Sequence, residues 1–381
     1  MLMPRLTAAL LILLSAIGTA AAEQAVGLFP GAANDPRRAA RIAFELQAET
    51  EIHPSLKPNG WVTKVPLPQA PEITRLPNRD KNGEYAAVSP HYIITCAQRP
   101  SDAVLQRVAG VMENSLAVNR AVAETMPILR MRQQPKKHRK MHIRLVPTME
   151  SYLQHGGEIG SAGVYQSSRL VYTGNGVSPE DQPCTEETLT RDTVLVAYSA
   201  LGLRADGSLS NEPVNTQLLT HEGTHQCFVY NNLPIWANEG WAEYISAAPH
   251  EGGFVNFEKG FSLISARARR SAILGRLDCP FSLSEFFFMS KERMYALGLH
   301  SGSTVDTYTL SAMVTAFFLH MDGERGVAAM RDYLQARAEC LPHAKATEIL
   351  AAPYGGVSAL QEVIVNAWQA RKINLKLKQQ K

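Results

Sequence analysis

Short β-branched and aromatic runs dominate the chain before about residue 210, and apolar positions at helical spacing dominate after it. The stretches HYIITC at 91–96, MHIRLV at 141–146 and TVLVAY at 193–198 predict strands, because Val, Ile, Thr and Tyr fit a half-buried pleated surface. Residues 162–172 (AGVYQSSRLVY) predict a hairpin turning near Ser167 and Ser168. Apolar residues recur with a helical period over 102–126, where Ser101 or Asp102 is the natural cap, and a shorter helix is expected over 149–155. The Gly, Pro and Asp content of 174–191 reads as a long surface loop. Beyond Asn211 the periodicity predicts helices over 214–230, 237–246, 282–289, 307–321, 326–338 and 358–377, with 371–381 as a frayed basic helix end. Residues 23–84 read as irregular apart from a short helix over 37–49, since eight of the 22 prolines fall between Pro30 and Pro77. This segment either wraps the body or is a removable pro-segment, and wrapping is the favoured expectation.

These elements imply an α+β protein with an α/β subdomain over 85–210 and a helical one over 211–381. The 381 residues, 45% hydrophobic and 19% charged, suffice for a substantial core and argue against disorder. The first 22 residues stand apart. Arg5, the apolar run 6–17 and Ala20-Ala21-Ala22 have the layout of a signal peptide cleaved before Glu23. An exported protein, periplasmic or secreted, is therefore expected, with no stable membrane insertion after cleavage. Five cysteines (Cys96, Cys184, Cys227, Cys279 and Cys340) form no CxxC pair, which disfavours a thiolate metal site. An oxidising compartment predicts one or two disulfides, with Cys227 left as a thiol. The net charge of +3 gives no reason to expect a nucleic-acid partner, and the basic stretch 130–144 reads as a solvated loop.

The chemistry concentrates at His221-Glu222-Gly223-Thr224-His225. On a helix, residues four apart share a face, so both imidazoles reach one ion while Glu222 flanks it. Leu218, Leu219, Phe228 and Val229 supply apolar helical spacing around the motif. Two core histidines are the bland alternative. Zinc held by two histidines needs a third protein ligand and an open position for water. Glu239 lies 14 residues after His225, beyond a turn at 231–234, which is enough for a second helix to return across the first. Glu243, four residues on, shares its face and can accept a hydrogen bond from the outer ring nitrogen of His221. Trp236 and Trp241 are expected to pack this second helix onto the first, with Gly240 permitting close approach. The other nine histidines show no ligand spacing, and there is no GxSxG elbow or Gly-rich phosphate loop.

HEGTH followed by WANEGWAEY resembles the gluzincin metallopeptidases, and among them compact bacterial peptidase-MA-like proteins. The strong match covers about 220–247. The resemblance implies a gluzincin-like fold, a mixed-sheet N-terminal subdomain with the active-site helix and a helical zinc-binding catalytic subdomain. It also implies one zinc ion per chain, held by His221, His225 and Glu239, with Glu222 as general base and Asn238 and Glu243 as supporting residues. Tyr308 coincides with a family-like tyrosine and is the candidate oxyanion donor, with Tyr198, Tyr244, Tyr295 and His300 as other possibilities. Substrates would be peptides or proteins, paired along a strand edge supplied by AGVY or TVLVAY. The third ligand lies nearer than in thermolysin or the large aminopeptidases, and no GxMEN motif points to aminopeptidase specificity. A zinc-bearing envelope scaffold without turnover and a non-peptide amide hydrolase are the alternatives. Glu222 favours the enzymes, because a binding module needs no base beside its metal.

Overall fold

A mixed six-stranded sheet organises the first half of the molecule in this computed structural model, which describes residues 55–379 apart from 57–59, 81, 127–139, 160, 171–181, 183–188, 205, 207, 209–214, 273–275 and 300–306. The expected signal peptide, the helix over 37–49, Cys184, His300, most of the basic stretch and most of the loop over 174–191 lie outside the described residues. The chain enters through β1 (Ser55–Leu56) and β2 (Val62–Pro66). It continues through β3 (Thr74–Arg75), β4 (Tyr85–Val88) and β5 (Tyr92–Cys96). The long helix α1 (Asp102–Thr125) starts at Ser101, whose hydroxyl accepts the Val104 N–H at 3.3 Å. Then follow β6 (Met141–Val146), α2 (Met149–Gln154), β7 (Gly163–Arg169) and β8 (Leu189–Ala197). The sheet order is β3-β4-β5-β6-β8-β7, with β5, β6 and β8 parallel and β7 antiparallel along the edge.

This topology corrects the hairpin reading of 162–172. Ser167 and Ser168 lie in mid-strand, paired with Asp192 and Arg191, and 163–169 is one strand whose partner is β8. Gln166, Ser167 and Ser168 are compatible with a turn in sequence but belong here to a solvent-facing edge, where polar residues cost nothing.

The second half is helical. Its helices are α3 (Thr216–Phe228), α4 (Ile235–Ser246), α5 (Phe257–Ser271), α6 (Leu283–Phe287), α7 (Lys291–Leu299), α8 (Thr307–Ala316), α9 (Gly323–Ala338), α10 (His343–Ala351) and α11 (Val357–Ala370). The short strands β9 (His250–Glu251) and β10 (Phe254–Asn256) precede α5. A last pair, β11 (Arg276–Cys279) and β12 (Asn374–Leu377), runs parallel. Residues 374–377 are thus a strand and not the frayed helix end expected, because alternate Leu375 and Leu377 bury against the core. A π-turn, Phe317–Met321, continues α8. No described helix is long and apolar enough to cross a membrane.

The Pro-rich segment is less irregular than its composition suggests. β2 pairs antiparallel with β10 of the helical half. Trp61, fully buried, donates its indole N–H to Tyr244 Oη at 2.6 Å and packs against Trp241 and Phe257. Prolines flank this strand at its end without interrupting it. Four cysteines (Cys96, Cys227, Cys279 and Cys340) are thiols, so the expected disulfides do not form among the described residues.

Candidate metal centre

The two helices that carry the motif are joined by a tight reversal. Asn215 caps α3, its side-chain oxygen accepting the Leu218 N–H at 3.0 Å. The chain leaves α3 through a 3₁₀ turn, and Asn232 takes a left-handed conformation, φ 51°, that asparagine tolerates better than most residues. Pro234 at φ −64° then starts α4. Buried Arg337 from α9 fixes this reversal, donating to Asn232 O at 2.9 and 3.2 Å and to Leu341 O at 2.6 Å.

Against the sheet side, α3 rests on α1. A Cβ on Gly223 would lie 2.8 Å from Ser115 Oγ and 3.3 Å from Met112 Cε. Asn119 Nδ2 donates to Ser115 O at 2.8 Å and to Thr224 Oγ1 at 3.3 Å, and Thr224 Oγ1 donates to Thr220 O at 2.9 Å. This buried polar seam turns the opposite face of α3, with His221, Glu222 and His225, away from α1.

That face meets α4. His221 Nε2 and His225 Nε2 lie 3.0 Å apart with their rings nearly perpendicular, at 86°. Glu239 Oε2 lies 3.2 Å from the first and 3.4 Å from the second. Zinc bonds of about 2.0–2.1 Å in a tetrahedron require ligand-to-ligand edges of about 3.3–3.4 Å. The three atoms therefore match one triangular face of such a tetrahedron, and the buried His221, His225 and Glu239 group can hold a metal ion.

The surroundings bias each member. His221 Nδ1 faces Glu243 Oε1 at 3.3 Å, and the other Glu243 oxygen accepts from Arg267 of α5. Burial alone would lower the His221 imidazole, but its contacts with Glu239 and Glu243 outweigh that and raise it well above the ordinary histidine value. Burial would raise Glu239 and Glu243, yet the imidazoles hold both below the usual carboxylate range, and Arg267 adds to this at Glu243. Glu222 behaves differently. Its burial wins over the attraction of His221 and His225, and its carboxyl is raised. Glu222 Oε2 accepts the Tyr165 backbone N–H of β7 at 2.6 Å.

His221, Glu222 and Glu243 open on a cleft of about 910 Å³, and Tyr308 at the start of α8 lines the same cleft. Of the other oxyanion candidates, Tyr198 is buried against Cys96 and Tyr244 against Trp61 and His320, away from the cleft. The Tyr295 side chain and His300 lie outside the described residues. Asn238 precedes Glu239 on α4. Among the described residues its side chain makes no hydrogen bond, and its backbone N–H donates to Pro234 O at 2.9 Å.

One packing role expected for α4, that of Gly240, needs correction. Trp236 packs against Phe287 and Tyr333, and Trp241 against Trp61 and Tyr244. Gly240 admits α8, since a Cβ there would meet Thr315 Oγ1 at 2.4 Å and Ser311 O at 2.9 Å. Sequence reasoning also missed Arg267 and the Tyr165 N–H, which come from elements 24 and 57 residues away from their partners. No local spacing signals either contact. In comparisons with known proteins, no family model and no curated protein matches this chain.

Proposed function

We propose that this chain is an exported zinc metallopeptidase of the gluzincin type, hydrolysing peptide bonds in peptide or protein substrates. One observation carries the reading: two imidazole nitrogens and one carboxylate oxygen converge at tetrahedral edge distances beside a second, raised carboxyl, Glu222. Two histidines and a glutamate leave a fourth position open, the pattern of catalytic rather than structural zinc. When bound there, zinc would act as a Lewis acid on a substrate carbonyl and lower the pKa of a coordinated water.

The chain's own residues supply the remaining functions. Glu222 is the general base, taking the proton of the attacking water and passing it to the leaving amine. The Tyr165 N–H holds one oxygen of Glu222, so the carboxylate meets water in a fixed orientation. Glu243, itself held by Arg267, fixes the His221 ring through Nδ1. Tyr308 donates a hydrogen bond to the developing oxyanion from the cleft wall. Only β7 of the two candidate strands is an edge, since β8 lies between β6 and β7, so an extended peptide would pair with β7. Strand residues two apart face the same way, which gives Ser167 the outward direction of Tyr165.

The test is Glu222→Gln. The variant should keep one zinc per chain by metal analysis while cleavage of an unfolded protein substrate falls by about 10²–10⁴-fold. Equal turnover in wild type and variant would remove Glu222 as the base.

A further inference from the structure

Part of the cleft wall belongs to α5, whose two cleft arginines are not both paired. Arg267 and Arg270 both line the cleft, three residues apart and thus on one helix face. Arg267 is committed to Glu243. Arg270 is exposed and makes no ion pair or hydrogen bond among the described residues. The carboxylates of the cleft are otherwise engaged: Glu158 faces Lys291 at 3.5 Å, Glu243 holds Arg267 and His221, and Glu222 accepts the Tyr165 N–H. The cleft lining also includes exposed apolar residues, Ile159 at 81% and Leu263 at 38% exposure.

We propose that Arg270 is a specificity residue that receives a substrate carboxylate, so that the cleft selects carboxylate-bearing peptides, with Ile159 and Leu263 covering the apolar part of the chain nearby. The inference rests on the peptidase reading above. The carboxylate is either an internal Asp or Glu side chain near the scissile bond or a free C-terminus. An arginine is suited to both, because its planar fork meets a carboxylate with two parallel hydrogen bonds. An exposed pair of this kind is screened by salt, so the preference weakens at high ionic strength. The competing role for Arg270 is to neutralise the C-terminal end of α5, where it lies in the last turn. That role would alter stability without changing the ranking of substrates.

The experiment uses the zinc-loaded full chain and its Arg270→Glu variant. One peptide family carries Glu, Gln or Lys at successive positions around the cleaved bond with an amidated C-terminus. A second, uncharged family has the C-terminus free or amidated. The readout is the ratio of kcat/KM between members of a family within one protein. Wild type should prefer the carboxylate member of one family by about tenfold, and the family that shows it identifies the source of the charge. R270E should lose that preference or turn it toward Lys. A ratio near one in wild type, or the same ratio in both proteins, overturns the assignment.

Binding of the same peptides to Glu222→Gln, by fluorescence anisotropy at low and high salt, separates this inference from the hydrolytic one. A tenfold Kd preference for the carboxylate that vanishes in the Arg270→Glu, Glu222→Gln double variant supports Arg270 even if wild type cleaves nothing. Cleavage of every peptide without charge preference leaves the hydrolytic reading standing and sinks this one.

Discussion

The undersides of α3 and α4 solve the same problem in different ways. Each helix must hold ligand atoms to within a few tenths of an ångström of a partner on the other. Helix α3 rests on α1 through a seam of hydroxyls and one amide, Ser115, Asn119 and Thr224, whose hydrogen bonds constrain direction more tightly than length. Helix α4 rests on α8 through bare backbone at Gly240, pressed against Ser311 and Thr315. The polar seam sets rotation about the helix axis, because a donor must find its acceptor. The steric seam sets separation, because nothing else can occupy the gap. Two histidines on one helix need the first kind of control, and a single carboxylate reaching across needs the second.

Alanine at the two seam glycines should break that comparison most visibly. At Gly240 the new Cβ would lie 2.4 Å from Thr315 Oγ1 and 2.9 Å from the Ser311 carbonyl, and the latter is backbone that moves only with its helix. Overpacking of this kind costs about 3 kcal/mol, and the displaced α4 should carry Glu239 out of range and lower zinc affinity as well. At Gly223 the close atoms are Ser115 Oγ at 2.8 Å and the Met112 methyl at 3.3 Å, both ends of side chains that can rotate. Alanine's helix propensity offsets part of the strain there, leaving a loss of about 1 kcal/mol or less. Urea midpoints for the two variants measure the difference. Equal costs would mean that the two seams are not distinct in kind.

Why the sequence announced α3 and α4 but not their seams follows from the range of each interaction. HEGTH and WANEGWAEY are local patterns, and helical periodicity puts His221, His225, Glu239 and Glu243 on usable faces before any tertiary contact is known. The same locality explains the strand expectations for 91–96 and 141–146, which the structure meets at Tyr92–Cys96 and Met141–Val146. What failed was non-local. Tyr165 reaches Glu222 only because β7 is placed at a sheet edge by pairing with β8, and the serines at 167–168 read locally as a turn. Trp61 sits in a Pro-rich stretch and becomes a core residue only once β2 finds β10. The 374–377 strand likewise exists because β11, about a hundred residues earlier, offers it a partner.

A smaller effect sharpens the comparison at the proposed zinc site. Glu243→Gln removes the charge that holds the His221 ring while keeping nearly the same shape, and zinc affinity should fall by about 10–100-fold. Arg267→Met acts one step further out, on a group that is 37% exposed, and should weaken zinc only a few-fold. Competition with a chromogenic chelator ranks the two. An unchanged zinc Kd in Glu243→Gln would show that α4 contributes a ligand but no orientation.

The smallest effect contrasts two histidines, one in each half. His221 touches carboxylates and is raised, whereas His142 on β6 touches hydroxyls, Thr95 Oγ1 at 2.8 Å and Thr193 Oγ1 at 3.1 Å, and is lowered. Burial is the main cause for His142, and Arg144 adds to it against the opposing pull of Glu84, Asp192 and Asp80. A base lowered on folding binds fewer protons native than unfolded below its ordinary value of about 6.5. Its contribution is therefore complete above that pH and is lost as pH falls through 6.5 toward the folded value. His142→Gln keeps an amide that can bond the threonines but does not titrate. In metal-stripped protein, the drop in Tm between pH 7.5 and 5.5 should be smaller for the variant than for wild type by a few degrees at most. Since His221, Glu222, Glu239 and Glu243 are present in both proteins, their own titrations cancel in that difference. Identical drops would mean that protonated His142 is accommodated between β5 and β8 without cost, and the sheet half would then carry no acid sensitivity of its own at this position.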